Sequence, residues 1–261
     1  MLYGVSTLLY LLYFYRKSTP IKKAATTTLL ITGILHLGLI ISMGVVAHRH
    51  PMATIFEFLS FIAMTMSFIY LYMEHLHHNG YIGAFVVPAI LGLELCAAIG
   101  IQPDAALTPL LAEVHFALHA TAFAAAYAAF FLGVLFAVMV ILFERSVRQH
   151  HFGILFEQLP PLNILARMTA GTLLIGFIFM SVGLGLGTWT AIHAPKALHI
   201  DAKVILTVVI WLFYGFAIFS RFVLRWSDKS TAVFSIVGFL VLVLTTIVSH
   251  VTFSSWHNFV G

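Results

Sequence analysis

EVHFALHATAFAAAYAAFFLGVLFAVMVILFER, residues 113–145, carries no charge between its two ends. About 30 residues at roughly 1.5 Å of rise make a helix about 45 Å long. The hydrocarbon core of a bilayer needs only about 20 residues. The helix is therefore expected to cross a membrane and to stand proud of it. Its first turns hold His115 and His119, four residues apart and so on one face. Two imidazoles lifted to a membrane surface by a long apolar helix suggest a site for a large ligand or a metal there.

The rest of the chain agrees with a membrane setting. It is 61% hydrophobic and 8% charged, with a mean hydropathy of +1.04, whereas a soluble domain has about 25% charged residues. The expected fold is an all-α, polytopic integral membrane helix bundle. About eight transmembrane helices, near 1–15, 25–47, 53–73, 81–101, 114–143, 169–191, 203–224 and 232–253, form a single transmembrane domain. The net charge of +4 comes from loops and forms no basic stripe, so nucleic acid is not an expected partner. Lipid is. The single cysteine, Cys96, excludes an intrachain disulfide and a thiolate cluster.

The first segment has Arg16, Lys17, Lys22 and Lys23 after it rather than before it, the reverse of a secretory signal. It is expected to be a retained anchor. With the N-terminus outside, ten basic residues fall on the inner side, and only Arg49, Lys196 and Lys203 fall outside. The positive-inside rule then predicts N-out and C-out. Residues 150–168 are interrupted by Pro160 and Pro161 and are expected to lie along the inner surface. Gly183, Gly185 and Gly187 should permit close backbone approach to a neighbour or a ligand.

Histidine, at 14 residues, outnumbers the 9 acidic residues. His48, His50, His115, His119, His193, His199, His250 and His257 sort to the outer side. His75, His77, His78, His150 and His151 sort to the inner side and suit ordinary interfacial residues. Imidazole is a common axial ligand of haem. The pair best placed to face one another is His119 and His257, on separate elements. Trp189 would form an aromatic wall, and Lys196, Lys203 or Arg49 would face the propionates. A zinc or copper pair at His115 and His119 is the competing reading. His36 lies at bilayer depth, where ionisable groups are costly; it is a candidate second haem ligand or proton-relay member. Glu57 and Glu94 belong to a site or hold partner helices. A solute transporter using these groups lacks the broken helices that such folds show.

Several blocks resemble the integral-membrane cytochrome c assembly proteins of the CcsA/CcmC class, and more closely their YpjD/HemX-like relatives. HPMATIFEFLSF at 50–61 resembles a family block with Glu57 at its glutamate. HATAFAAAYAAF at 119–130 resembles the block opened by a haem-associated histidine, which aligns His119 and Tyr127 and leaves His115 as an extra. Residues 159–191 resemble the stretch leading to a Trp-rich outer loop. DAKVILTVVIWLFYGFAIFSR at 201–221 matches at Asp201, Lys203, Trp211 and Arg221, and SSWHNFVG at 254–261 places His257 where the family has its second outer histidine.

The resemblance implies haem handling in c-type cytochrome biogenesis at the bacterial inner membrane. Haem b is the expected cofactor, held by His119 and His257 near the outer face. Other maturation proteins or an apocytochrome c are the expected partners, and a delivery role is expected rather than an enzymatic one. The sequence also departs from the family. Ile200, Ala202 and Val204 replace the Trp, Pro and Glu around Asp201, and Phe219 stands where an intramembrane histidine belongs. The alternative expectation is a non-catalytic regulator or assembly factor linked to haem synthesis.

Overall fold

The computed structural model describes residues 1–48, 50–52, 54–100, 114–150, 158–193 and 202–252. Among these the chain is entirely helical outside its turns. The helices are α1 (Leu2–Arg16), α2 (Thr19–Val46), α3 (Ile55–His77), α4 (Gly83–Ala98), α5 (Val114–Arg148), α6 (Leu162–His193), α7 (Ala202–Phe222) and α8 (Asp228–Thr252). In lipid no water is present to satisfy N–H and C=O groups, so an apolar chain of this kind must bond its backbone internally. Six of the helices are long and apolar enough to cross a membrane. The other two, α1 with 15 residues and α4 with 16, are shorter. At roughly 1.5 Å per residue each reaches about 24 Å, and they pack on one another inside the bundle.

Several helix starts and ends differ from the sequence expectation, three of them by five residues or more. α2 begins at Thr19 rather than near 25, with Ser18 extended at the N-cap and Pro20 in the first turn. Proline suits that position because its missing N–H has no intrahelical partner there. Lys22 and Lys23 thus lie within the helix, with Lys22 reaching the carbonyl of His78. α6 begins at Leu162, directly after Pro160 and Pro161, rather than at 169. The carbonyl of Pro161 accepts from the N–H groups of Ile164 and Leu165. The prolines start this helix, so 162–168 is not a surface segment; residues 151–157 lie outside the described residues. α5 runs on to Arg148, where its last turn pairs Arg148 with Glu144 at 3.2 Å.

α3 opens on a capping box. The Thr54 hydroxyl accepts from the N–H of Glu57, and the Glu57 carboxylate accepts from the N–H of Thr54. α1 ends at Lys17, whose left-handed backbone turns the chain into α2.

Successive helices run antiparallel in two groups. In the first, α1 packs on α2 and α4, and α3 packs on α2 and α4. In the second, α5 lies along α6 and also contacts α8, while α7 packs on α6 and α8. Contact of α3 with α5 joins them. All even helices end, and all odd helices begin, at the face that bears Met1.

The α5–α6 pair is the closest, and small residues explain it. Ala122, Ala124, Ala125, Ala126, Ala128 and Ala129 of α5 are buried. A Cβ on Gly176 would meet the Phe130 ring at 2.5 Å, one on Gly183 the Phe123 ring at 2.7 Å, and one on Gly187 the His119 ring at 2.6 Å. The pairs 119/187, 123/183 and 130/176 keep a single antiparallel register. Without a hydrophobic drive between helices in lipid, such close packing is what holds them. Gly185 meets nothing.

Candidate functional site

His119 sits near the Met1 face on α5. Its Nδ1 lies 2.8 Å from the carbonyl oxygen of Gly183. A carbonyl only accepts, so Nδ1 carries the proton and Nε2 the lone pair of the neutral ring. The slot left by Gly187 receives the ring, and Phe123 packs on it edge to face, with centroids 4.8 Å apart. The imidazole is thus oriented by the backbone of the neighbouring helix. Metal-ligating histidines are oriented in this way, by one ring N–H bonded to a carbonyl.

The surroundings come from three elements. His115, one turn nearer the start of α5, is exposed. Trp189, two residues beyond Gly187 on α6, is 52% exposed. His50, in the turn before α3, has its Nε2 3.4 Å from the hydroxyl of Thr121, two residues along from His119. Burial holds the His50 imidazole below its usual pKa, with Glu57 pulling the other way. His50 was not singled out as a site residue in the sequence; its place at the head of the HPMATIFEFLSF block was the available signal. His257, Arg49, Lys196, His199 and Asp201 lie outside the described residues, as does the side chain of Lys203. The second member of the expected pair is therefore not among the groups whose geometry is described. Among the described residues, no three His, Cys, Asp or Glu side chains come together in metal-binding geometry.

His36 is not beside His119. It is buried in the first helix group, 6% exposed. Its Nδ1 lies 2.9 Å from the Tyr3 hydroxyl, and its Nε2 2.9 Å from the Ser60 hydroxyl. Ser60 donates to Glu94 across 3.0 Å. Both ring nitrogens of His36 are thus engaged by side chains of α1 and α3. Glu57, the other acid flagged in the sequence, caps α3. A third acid, Glu74, is buried near the opposite face, where it accepts from Tyr10 and from Thr26, each at 2.6 Å.

The remaining aligned residues hold helices together. Tyr127 bonds the hydroxyl of Thr246 on α8. Trp211 donates to Ser181 on α6 across 2.8 Å. Arg221 pairs with Asp228 at 2.6 Å and also donates to the carbonyl of Trp226, closing the α7–α8 turn. Phe219 is 50% exposed, turned away from the bundle.

Comparison with known proteins adds a family. Residues 52–257 match the family model described as cytochrome C assembly protein. Protein HemX of Brevibacillus brevis is 22% identical over 262 residues, covering 98% of this chain and 95% of the relative. A cytochrome c biogenesis protein CcsA from Prochlorococcus marinus is 26% identical, covering 88% of this chain and 82% of its own. The CcsA protein of Chlorella vulgaris is 25% identical, with 74% of this chain and 71% of its own covered.

Proposed function

Since the chain belongs to the cytochrome c assembly protein family, we propose that it is a multi-pass membrane protein that handles haem in c-type cytochrome biogenesis. The observation that carries the reading is the seat of His119. An imidazole whose Nδ1–H is committed to the Gly183 carbonyl is held in a fixed orientation, with Nε2 as its basic nitrogen. Iron in haem takes such a nitrogen as an axial ligand.

The residues fit the group. His119 is the ligand on α5, and His257 is the partner proposed on the chain beyond α8. Trp189 and the exposed His115 stand at the same end of the bundle and would border the macrocycle. The proposed cofactor is haem b, at the outer face of a bacterial inner membrane with the N-terminus outside. The proposed partners are other maturation proteins or an apocytochrome c. When bound, haem supplies a redox-active iron. The chain's own task is orientation and control of access.

The test is an absorbance spectrum of the purified full-length protein made with added haem precursor. A Soret band is expected, with pyridine haemochrome spectra of b type. His119→Ala and His257→Ala should each remove most of it. A protein with no Soret band, or with one unchanged in both variants, would overturn the reading.

A second reading is supported by Phe219, which faces away from the bundle where the resembled family has a histidine, and by the full-length similarity to a HemX protein. In that reading the chain regulates haem synthesis and no longer presents haem. Deletion of the gene separates the two. Loss of cytochrome c with normal total haem favours delivery; altered tetrapyrrole levels with normal cytochrome c favour regulation.

A further inference from the structure

The chain Tyr3–His36–Ser60–Glu94 joins α1, α2, α3 and α4 in the half of the molecule that does not hold His119. Its hydrogens can be assigned without conflict. Ser60 donates to the Glu94 carboxylate, so its oxygen must accept from His36, which places an N–H on Nε2. The neutral ring then has its lone pair on Nδ1, and Tyr3 donates to it. Every hydrogen points toward Glu94. Direct contact of His36 with Glu94 is 3.6 Å, too long for a hydrogen bond, so Ser60 is the link. The ends differ in access: the His36 side chain is 4% exposed and that of Glu94 is 24% exposed.

From this geometry we infer that α1–α4 house a proton relay, with Glu94 as its more exposed end, the Ser60 hydroxyl as shuttle and the His36–Tyr3 pair as its buried end. The step balances within the chain. Ser60 passes its proton to Glu94 as it takes the Nε2 proton of His36. His36 takes the Tyr3 proton on Nδ1, and Tyr3 is reprotonated by hydronium, which leaves as water. Four bonds break, four form, and one proton has moved from hydronium onto the carboxylate. Run backward, the relay delivers a proton from Glu94 to the Tyr3 end. Intramembrane ionisable groups that face a bundle interior are typical of such paths.

The titratable groups facing the chain are Tyr3 of α1, His36 of α2 and Glu94 of α4, with the Met1 amino group acting on Glu94. α3 contributes the hydroxyls of Ser60 and Ser67, the latter acting on Tyr3. None of these belongs to the proposed haem seat, so the inference stands apart from that reading.

Infrared difference spectra of the full-length protein in phosphatidylcholine vesicles, between about pH 9 and about pH 5, test it; that range brackets the ordinary histidine and carboxylate pKa values. The protein carries ring-labelled histidine, and subtraction of His36→Gln spectra isolates the His36 signal. On acidification a carboxylic-acid C=O band is expected, lost in Glu94→Gln and shifted in Glu94→Asp. The His36 signal should change in step with it. In Ser60→Ala the Glu94 band should remain while the His36 signal no longer follows. A network that only glues helices would show no His36 change linked to Glu94. That result, or a carboxyl band that persists in both Glu94 variants, or coupling that survives Ser60→Ala, overturns the inference. If Glu94→Gln does not fold, Glu94→Asp and Ser60→Ala decide alone.

Discussion

His119 donates its Nδ1–H to the Gly183 carbonyl across 2.8 Å, one helix turn from the Gly187 gap that admits its ring. A side chain on one helix is therefore aimed by the bare backbone of another. The arrangement depends on two positions of α6 having no Cβ, and that dependence can be measured.

A Cβ at Gly187 would lie 2.6 Å from Cε1 of His119. Gly187→Ala is expected to push the ring out of its seat and to cost about 1–3 kcal/mol, the usual range for overpacking. Haem content should fall nearly as far as in His119→Ala. Gly185→Ala, which meets nothing within 4 Å, is the control. It should leave stability within about 0.5 kcal/mol and the Soret band unchanged. Thermal melts and absorbance of the two variants, run together, check both statements.

Thr54 and Glu57 cap α3 reciprocally. Thr54→Ala should cost about 0.5–2 kcal/mol, as N-cap losses do. Glu57→Gln should keep most of the box, since an amide oxygen also accepts from the Thr54 N–H, whereas Glu57→Ala should not. A Glu57→Gln variant of normal melting temperature but without haem would give the carboxylate a task beyond capping.

Burial holds His50 below its ordinary pKa, so as pH falls the unfolded chain takes up that proton first. The unfolded state binds more protons, and stability must fall on acidification. The contribution is complete above about pH 6.5, the ordinary histidine value, and is lost as pH drops through that value toward the folded one. Melting temperature measured from about pH 8 to about pH 5 should decline, and His50→Asn should flatten part of that slope. An unchanged slope would mean other groups carry it.

Glu74 is buried with two hydroxyl donors, Tyr10 and Thr26. Tyr10→Phe leaves one lone pair of a buried acid unmet and should cost about 1–3 kcal/mol. Thr26→Val should add to it. Folded yield in detergent and melting temperature of the single and double variants give the comparison. A double variant as stable as the wild type would show that water replaces both donors.

Much of this was written in the chain. The run from 114 to 143 has no charge, and a chain so apolar must form helices because lipid offers its backbone no other partner. Gly183, Gly185 and Gly187 announced a close approach, since a residue without a Cβ invites one, and Gly183 and Gly187 make it while Gly185 does not. His119 stood out by its position at the head of a long helix, whereas Glu57, expected to belong to a site or to hold a partner helix, is found capping α3 with Thr54. The starts of α2 and α6 were less clear. Lysines near 22 and prolines at 160–161 look like loop, yet proline fits a first helical turn.

The sequence by itself determined that this is a helical membrane protein with imidazoles toward one face, because composition and backbone chemistry suffice for that. Only the tertiary structure decided who touches whom. Tyr3 and Ser60 gave no sign that they bracket His36, nor Gly183 that its carbonyl would aim His119. Lipid is as apolar as leucine, so the hydropathy of a spanning helix does not say which side turns inward. Rotation and register come from packing between helices far apart in the chain, and that packing exists only once the bundle has formed.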